Sequence, residues 1–161
     1  MIDTGDRAPD VALQMADGST VSLGTTLGRP LVLYFYPKDD TSGCTREAQD
    51  FSALAPAFEA AGAAVLGISK DDAKKHAKFT EKYDLKVPLA TDADGTVCEA
   101  FGTWIEKSMY GRKYMGIDRA TFLLDADGRI ARVWRKVKVP GHAEEVLAAV
   151  HTLGQGGAAG S

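Results

Sequence analysis

A chain of 161 residues, with 45% hydrophobic and 25% charged side chains, has the make-up of one globular domain large enough to bury a full core. Its net charge of −3 argues against a nucleic-acid surface, and no stretch approaches the ~20 apolar residues of a membrane span. The amino terminus lacks the apolar segment of a signal peptide, so the cytoplasm is the expected compartment, and two cysteines are too few for a secreted disulfide framework.

Residues 10–23 alternate around Asp17-Gly18, which predicts a short β-hairpin. Leu31 to Tyr36 is an unbroken apolar, β-branched and aromatic run, too short for a buried helix and read as a core strand that Pro37 ends. A helix is expected to begin just past Cys44, with Phe51, Leu54, Ala55 and Phe58 along one face. Pro56 should kink or split it, and Gly62 is placed to cap its end.

Ala63 to Ser69 reads as a second buried strand. Ser69-x-x-Asp72 resembles a capping box for a helix running to about Tyr83, with His76, Phe79 and Tyr83 on one side. Val87 to Ala90 predicts a short strand, and Asp94 is placed to cap a brief helix holding Val97, Cys98 and Phe101. Residues 102–118, rich in glycine and aromatics, read as a long functional or partly structured loop.

Arg119 to Trp134 predicts a second hairpin about Asp127-Gly128. Its basic end (Arg129, Arg132, Arg135, Lys136, Lys138) reads as a solvated or edge-protecting strand face. His142 to Leu153 is a closing amphipathic helix. The pattern implies a single α/β domain over residues 1–153, a central mixed sheet flanked by helices with an N-terminal hairpin, and a flexible tail over 154–161.

Cys44 carries the chemistry. A buried cysteine acting as a small apolar residue is the bland reading, but Ser42, Gly43 and Thr45 around it are polar or tiny. It sits where a strand has ended and a helix is starting. Unpaired N–H groups there carry roughly +0.5 of a charge and favour a thiolate. An ordinary thiol is a few per cent ionised at pH 7, and bringing a nucleophilic thiol to a pKa near 6 takes about 3.4 kcal/mol. A helix terminus supplies at most ~2 kcal/mol. A second positive group is therefore required.

Tyr34-Phe-Tyr-Pro37-Lys-Asp-Asp-Thr41-Ser-Gly-Cys44-Thr resembles the peroxidatic signature of the peroxiredoxins, most closely the bacterioferritin-comigratory protein (PrxQ) subfamily. Pro-x-x-x-Thr-x-x-Cys is present as Pro37, Thr41 and Cys44. The similarity extends to Val65 to Ser69, Phe101-Gly-x-Trp104, Met115 to Arg119 and Phe122 to Asp125, covering nearly the whole chain up to the last helix.

The resemblance implies a thioredoxin-like (glutathione-peroxidase-like) fold and a peroxidase that reduces hydrogen peroxide and organic hydroperoxides through a Cys44 sulfenic acid, without metal, flavin or haem. Arg119 matches the family's active-site arginine, the second positive group required above. By the same resemblance Thr41 and the Cys44 N–H hold the peroxide oxygens, and Pro37 shields the pocket. Glu47, one helical turn on, is placed to orient Arg119, the alternative being a surface carboxylate. Ser42 stands where the family often has proline, which implies a slightly looser loop and unchanged chemistry. Thioredoxin, glutaredoxin or a small thiol is the expected reductant, and a monomer, or at most a weak dimer, the expected state.

The resolving cysteine departs from the family. Five residues past Cys44 the chain has Gln49, and no cysteine occurs within 71–83. Cys98 is the only candidate. Its place between Val97 and Phe101 reads as packing, which favours a one-cysteine cycle with an outside thiol over Cys98 as resolver. There is no Cys-x-x-Cys, Gly62 to Gly67 lacks the P-loop lysine, and His76, His142 and His151 lack metal-ligand spacing. Two rivals remain: a cysteine hydrolase, for which no histidine base is placed, and a redox-sensing or holdase protein whose oxidised form binds partners.

Overall fold

The computed structural model describes residues 2–26 and 28–160. The predicted first hairpin is β1 (Ala12–Met15) and β2 (Thr20–Ser22), followed by a short 3-10 turn and then β3 (Leu31–Phe35). Next come α1 (Ser42–Ala53), α2 (Ala55–Ala60), β4 (Ala64–Ser69), α3 (Ala73–Tyr83), β5 (Leu89–Thr91) and α4 (Thr96–Ala100). The chain continues through β6 (Trp104–Met109), β7 (Arg112–Ile117), β8 (Ala120–Leu124) and β9 (Ile130–Trp134) to α5 (His142–Gly160).

Seven strands form one mixed sheet in the order β2-β1-β5-β4-β3-β8-β9, with β3, β4 and β5 mutually parallel and the rest antiparallel. The two-residue period of β3 divides the core. Val32 and Tyr34, with Tyr36 beyond the strand, pack with Phe51 of α1, Phe79 of α3 and Val146 of α5. Leu33 and Phe35 face the other way, onto Val97 and Cys98 of α4 and Phe122 of β8. Tyr34 stacks on Phe51 at 4.6 Å between centroids and seats α1 on the sheet. Its phenol crosses Gly67 so closely that a Cβ there would lie 2.7 Å from the ring, so this neighbour has to be glycine.

Pro56 divides the helical segment into α1 and α2, at the second position of α2, where a missing N–H costs nothing. Four readings are corrected. The helix carrying Cys44 starts two residues before it, at Ser42, with Thr41 as its N-cap. Ser69 forms no capping box: it is buried at the end of β4, and Asp72 caps α3 by accepting from the Lys75 N–H at 2.8 Å. The N-cap of α4 is Gly95. Asp94 accepts from Thr96 N–H, while the Asp92 carboxylate takes the Val97 and Cys98 N–H groups at 3.0 and 2.8 Å. Finally, residues 102–118 are mostly strand: β6 and β7 pair as a separate two-stranded arm. Its turn, Tyr110-Gly111, has both residues at positive φ (53° and 78°), as a tight hairpin turn requires.

The closing helix continues to Gly160, past Leu153, its expected end, and through residues expected to be a flexible tail; Ser161, the last residue of that segment, lies outside the described residues. Among the described residues no helix is long and apolar enough to cross a membrane.

Candidate active site

The loop between β3 and α1, residues 36–41, delivers the chain from the sheet to the first turn of α1. Cys44 is the third residue of that helix and is 1% exposed. Its N–H belongs to the first turn, which has no intrahelical acceptor. An N-cap threonine ordinarily accepts such an N–H through its side chain. Here Thr41 makes no capping bond, and its hydroxyl donates instead to the Lys38 carbonyl at 2.8 Å. Thr41 is exposed, and half-buried Pro37 lies two residues past the end of β3.

Arg119 lies between β7 and β8, its carbonyl held by the Val137 N–H at 2.9 Å. Its Nη2 donates to Cys44 Sγ at 3.3 Å and its Nη1 to Glu47 Oε1 at 2.8 Å. Glu47 is 1% exposed, so the surface-carboxylate alternative does not describe it. Burial pushes its pKa up to about 7 against the pull of Arg119, and its Oε2 has no hydrogen-bond partner. Burial works against the charge on Arg119, but Glu47 and Cys44 outweigh it and lift the guanidinium above its ordinary pKa. Gly43 makes this approach possible, since a Cβ there would lie 3.1 Å from Nη2. The sequence reading missed Gly43, although a glycine in a helix's first turn is a recognisable mark of close approach.

The structure thus brings Cys44, Arg119 and Glu47 together, with Thr41 one turn before the sulfur. It does not bring Cys98 to them. Cys98 is fully buried in the core layer across the sheet from Cys44, and both cysteines are free. Burial, then the hydrogen bond and charge of Asp92, push the Cys98 thiol up to about 12.

Two of the three histidines, His76 and His142, take structural partners. His76 is packed between Asp39 and the Ala90 carbonyl. The His142 Nε2 lies 2.8 Å from the Thr121 hydroxyl oxygen, and the ring meets Phe51 and Trp134 edge-on. Among the described residues no group of three or more His, Cys, Asp or Glu is placed to hold a metal ion.

A model of the AhpC/TSA family matches residues 4–133. Peroxiredoxin Bcp of Xanthomonas campestris is 48% identical over 141 residues, 88% of each chain. Peroxiredoxin Bcp of Bacillus subtilis is 46% identical over 146 residues, covering 91% of this chain and 93% of the relative. Among solved structures, the Xanthomonas campestris bacterioferritin comigratory protein, described for its alkyl peroxide reduction activity, superposes with a TM-score of 0.88 at 44% identity, over 94% of this chain and 99% of that one.

Proposed function

Because the chain belongs to the AhpC/TSA family, as a peroxiredoxin of the Bcp/PrxQ kind, we propose that Cys44 is the nucleophile of a thiol-dependent peroxidase acting on hydrogen peroxide and organic hydroperoxides. The observation that carries this reading is the Arg119 fork, one nitrogen on Sγ and the other on a buried carboxylate. The Cys44 thiolate attacks one peroxide oxygen, the O–O bond breaks, and sulfur keeps that oxygen as sulfenic acid. The other oxygen leaves as alkoxide or hydroxide and takes a proton to become alcohol or water.

Arg119 steadies the thiolate and then the charge moving onto the leaving oxygen. The free Cys44 N–H donates to the peroxide. The proton of the Thr41 hydroxyl is engaged by Lys38, so towards substrate this hydroxyl is an acceptor, matched to the O–H of a hydroperoxide. Pro37 limits water at the pocket mouth.

A thiol from outside then resolves the sulfenic acid, releasing water and leaving a mixed disulfide. A second thiol frees Cys44. A thioredoxin, a glutaredoxin or a small thiol of the cytoplasm fits this role. The support is the position of Cys98: a disulfide needs Cα atoms within ~7 Å, and the whole sheet separates the two cysteines.

Intact mass after one equivalent of hydrogen peroxide tests the reading, on wild type and on Cys98→Ser. The expected product in both is a gain of one oxygen, trapped by a sulfenic-acid probe. Loss of two hydrogens in wild type alone would make Cys98 the resolver, and no rapid change in either protein would end the peroxidase assignment.

A further inference from the structure

Behind the loop that carries Thr41 lies a buried polar network outside the chemistry described so far. His76, on the inward face of α3, is 0% exposed. Its Nε2 lies 3.0 Å from the Ala90 carbonyl, which can only accept, so this nitrogen carries a hydrogen and donates. Its Nδ1 lies 2.6 Å from Asp39 Oδ2, with a proton between them. The Tyr36 hydroxyl donates to the other Asp39 oxygen. The Asp39 backbone is held too: its N–H donates to Asp71 Oδ2 at 2.8 Å, and the Ser69 hydroxyl donates to the same oxygen. The C-terminal ends of β3, β4 and β5, together with α3, thus converge on one loop residue.

What this residue controls follows from the planarity of the peptide bond. The Asp39 N–H and the Lys38 carbonyl belong to one rigid peptide. Its N–H end is fixed by Asp71, and its carbonyl end accepts the Thr41 hydroxyl at 2.8 Å. Turning that peptide turns the hydroxyl. The next residue, Asp40, sits in the left-handed region at φ 60°, uncommon for a non-glycine. It is held from α3 by Lys82 at 2.9 Å and Tyr83 at 2.7 Å. That second attachment is solvent-exposed and correspondingly weak, which leaves the buried one to fix the loop.

We propose that His76 is a positioning residue of the peroxidase reaction: through Asp39 and the Lys38–Asp39 peptide it sets the direction in which the Thr41 hydroxyl meets the peroxide. This rests on the role given to Thr41 above. A histidine that merely filled the core would affect stability and leave the peroxide step alone.

The test is a double-mutant cycle between His76→Leu and Thr41→Val, read as the stopped-flow rate of Cys44 oxidation by hydrogen peroxide and, separately, of its alkylation by iodoacetamide. In the wild-type background His76→Leu should slow the peroxide step about tenfold or more and change alkylation less than about twofold. In the Thr41→Val background the same substitution should cost less than about twofold, because the group it positions is already gone. His76→Asn, which keeps a donor near the Nδ1 position, should recover much of the loss.

Equal losses in both backgrounds, a folded His76→Leu at the wild-type rate, or peroxide and alkylation rates falling together would overturn the proposal. If His76→Leu does not fold, Asp39→Ala removes the carboxylate through which His76 acts, and the same expectations and refutations apply. A wild-type protein that reacts slowly with peroxide would refute the peroxidase reading instead, so the two failures are distinguishable.

Discussion

Glu47 and Arg119 are paired 72 positions apart in sequence, Oε1 to Nη1 at 2.8 Å, and the pairing turns the other guanidinium nitrogen to within 3.3 Å of Cys44 Sγ. A planar fork can serve two acceptors at once, whereas a lysine is a point charge on a flexible stem. Arg119→Lys should therefore cost more than the conserved charge suggests, and Arg119→Met more again. An oxyanion-type donor of this kind is worth about 10²–10³ in rate. Stopped-flow oxidation by hydrogen peroxide measures it, and a loss under about tenfold in Arg119→Met would show that the fork is structural. In that variant Glu47, already pushed up to about 7 beside Arg119, should take up a proton and avoid standing charged without a partner.

Stability against pH should show two buried groups cancelling. Burial raises the Glu47 carboxyl from its ordinary 4.5 to about 7, so between these values the folded state holds a proton that the unfolded state has released. Stability from this group is full below 4.5 and is lost as pH rises through 7. Burial lowers His142 from 6.5 to about 4, so there the unfolded state holds the extra proton, and stability from it is lost as pH falls from 6.5 to 4. The two oppose each other from about pH 4.5 to 6.5. Asp17, Asp40 and Asp94, held below the usual carboxylate range by hydrogen bonds, titrate beneath that window. Urea melts of wild type should be nearly flat across it. Glu47→Gln should lose stability on acidification from 6.5, and His142→Gln should gain it. A Glu47→Gln variant as flat as wild type would contradict the assignment.

Thr41 is an N-cap that does not cap. Removing its hydroxyl therefore removes no capping bond, and Thr41→Val should melt within a few degrees of wild type. Its peroxide rate should fall about tenfold to a hundredfold, the scale of a lost positioning contact, while Thr41→Ser keeps most of the rate. If Thr41→Val kept the rate and Thr41→Ser lost it, the methyl group and not the hydroxyl would be the relevant group.

The sequence reading succeeded where neighbouring residues carry the signal. Asp17-Gly18, the run from Leu31 to Tyr36 and Pro56 each mark an element by local sterics, and each element is present. It failed where three-dimensional neighbours decide. Ser69 has capping chemistry, but β4 runs through it and buries it, and Asp72 caps α3. The β6–β7 arm has no strand signature in the sequence because it stands apart from the main sheet and shows no single buried face, with Tyr110 98% exposed and Tyr114 and Met115 also outside. Its one local mark was Tyr110-Gly111, weak because tyrosine rarely takes positive φ. Within the site, the spacing of Pro37, Thr41, Cys44 and Glu47 was legible along one loop and helix. The contact of Asp39 with His76, across 37 positions, and the space that Gly43 leaves for Arg119 exist only once the sheet has formed.

Gly43 therefore offers a test in which stability and activity should move in opposite directions. It lies in the first turn of α1 and is not among the residues at positive φ, so alanine fits the backbone there. In a helix, alanine is better than glycine by up to about 1 kcal/mol, and Gly43→Ala should melt at or slightly above the wild-type temperature. The added Cβ, however, would stand 3.1 Å from Arg119 Nη2. Nη1 is anchored at 2.8 Å by a carboxylate with no room to follow, so the guanidinium yields by pivoting away from Sγ. Coulomb attraction and hydrogen-bond alignment both weaken with that movement. The peroxide rate should drop about tenfold in a protein no less stable than its parent. A thermal melt and a stopped-flow trace on the same preparation decide the matter. An unchanged rate would mean that Arg119 finds another route to the sulfur and that the glycine serves only the backbone.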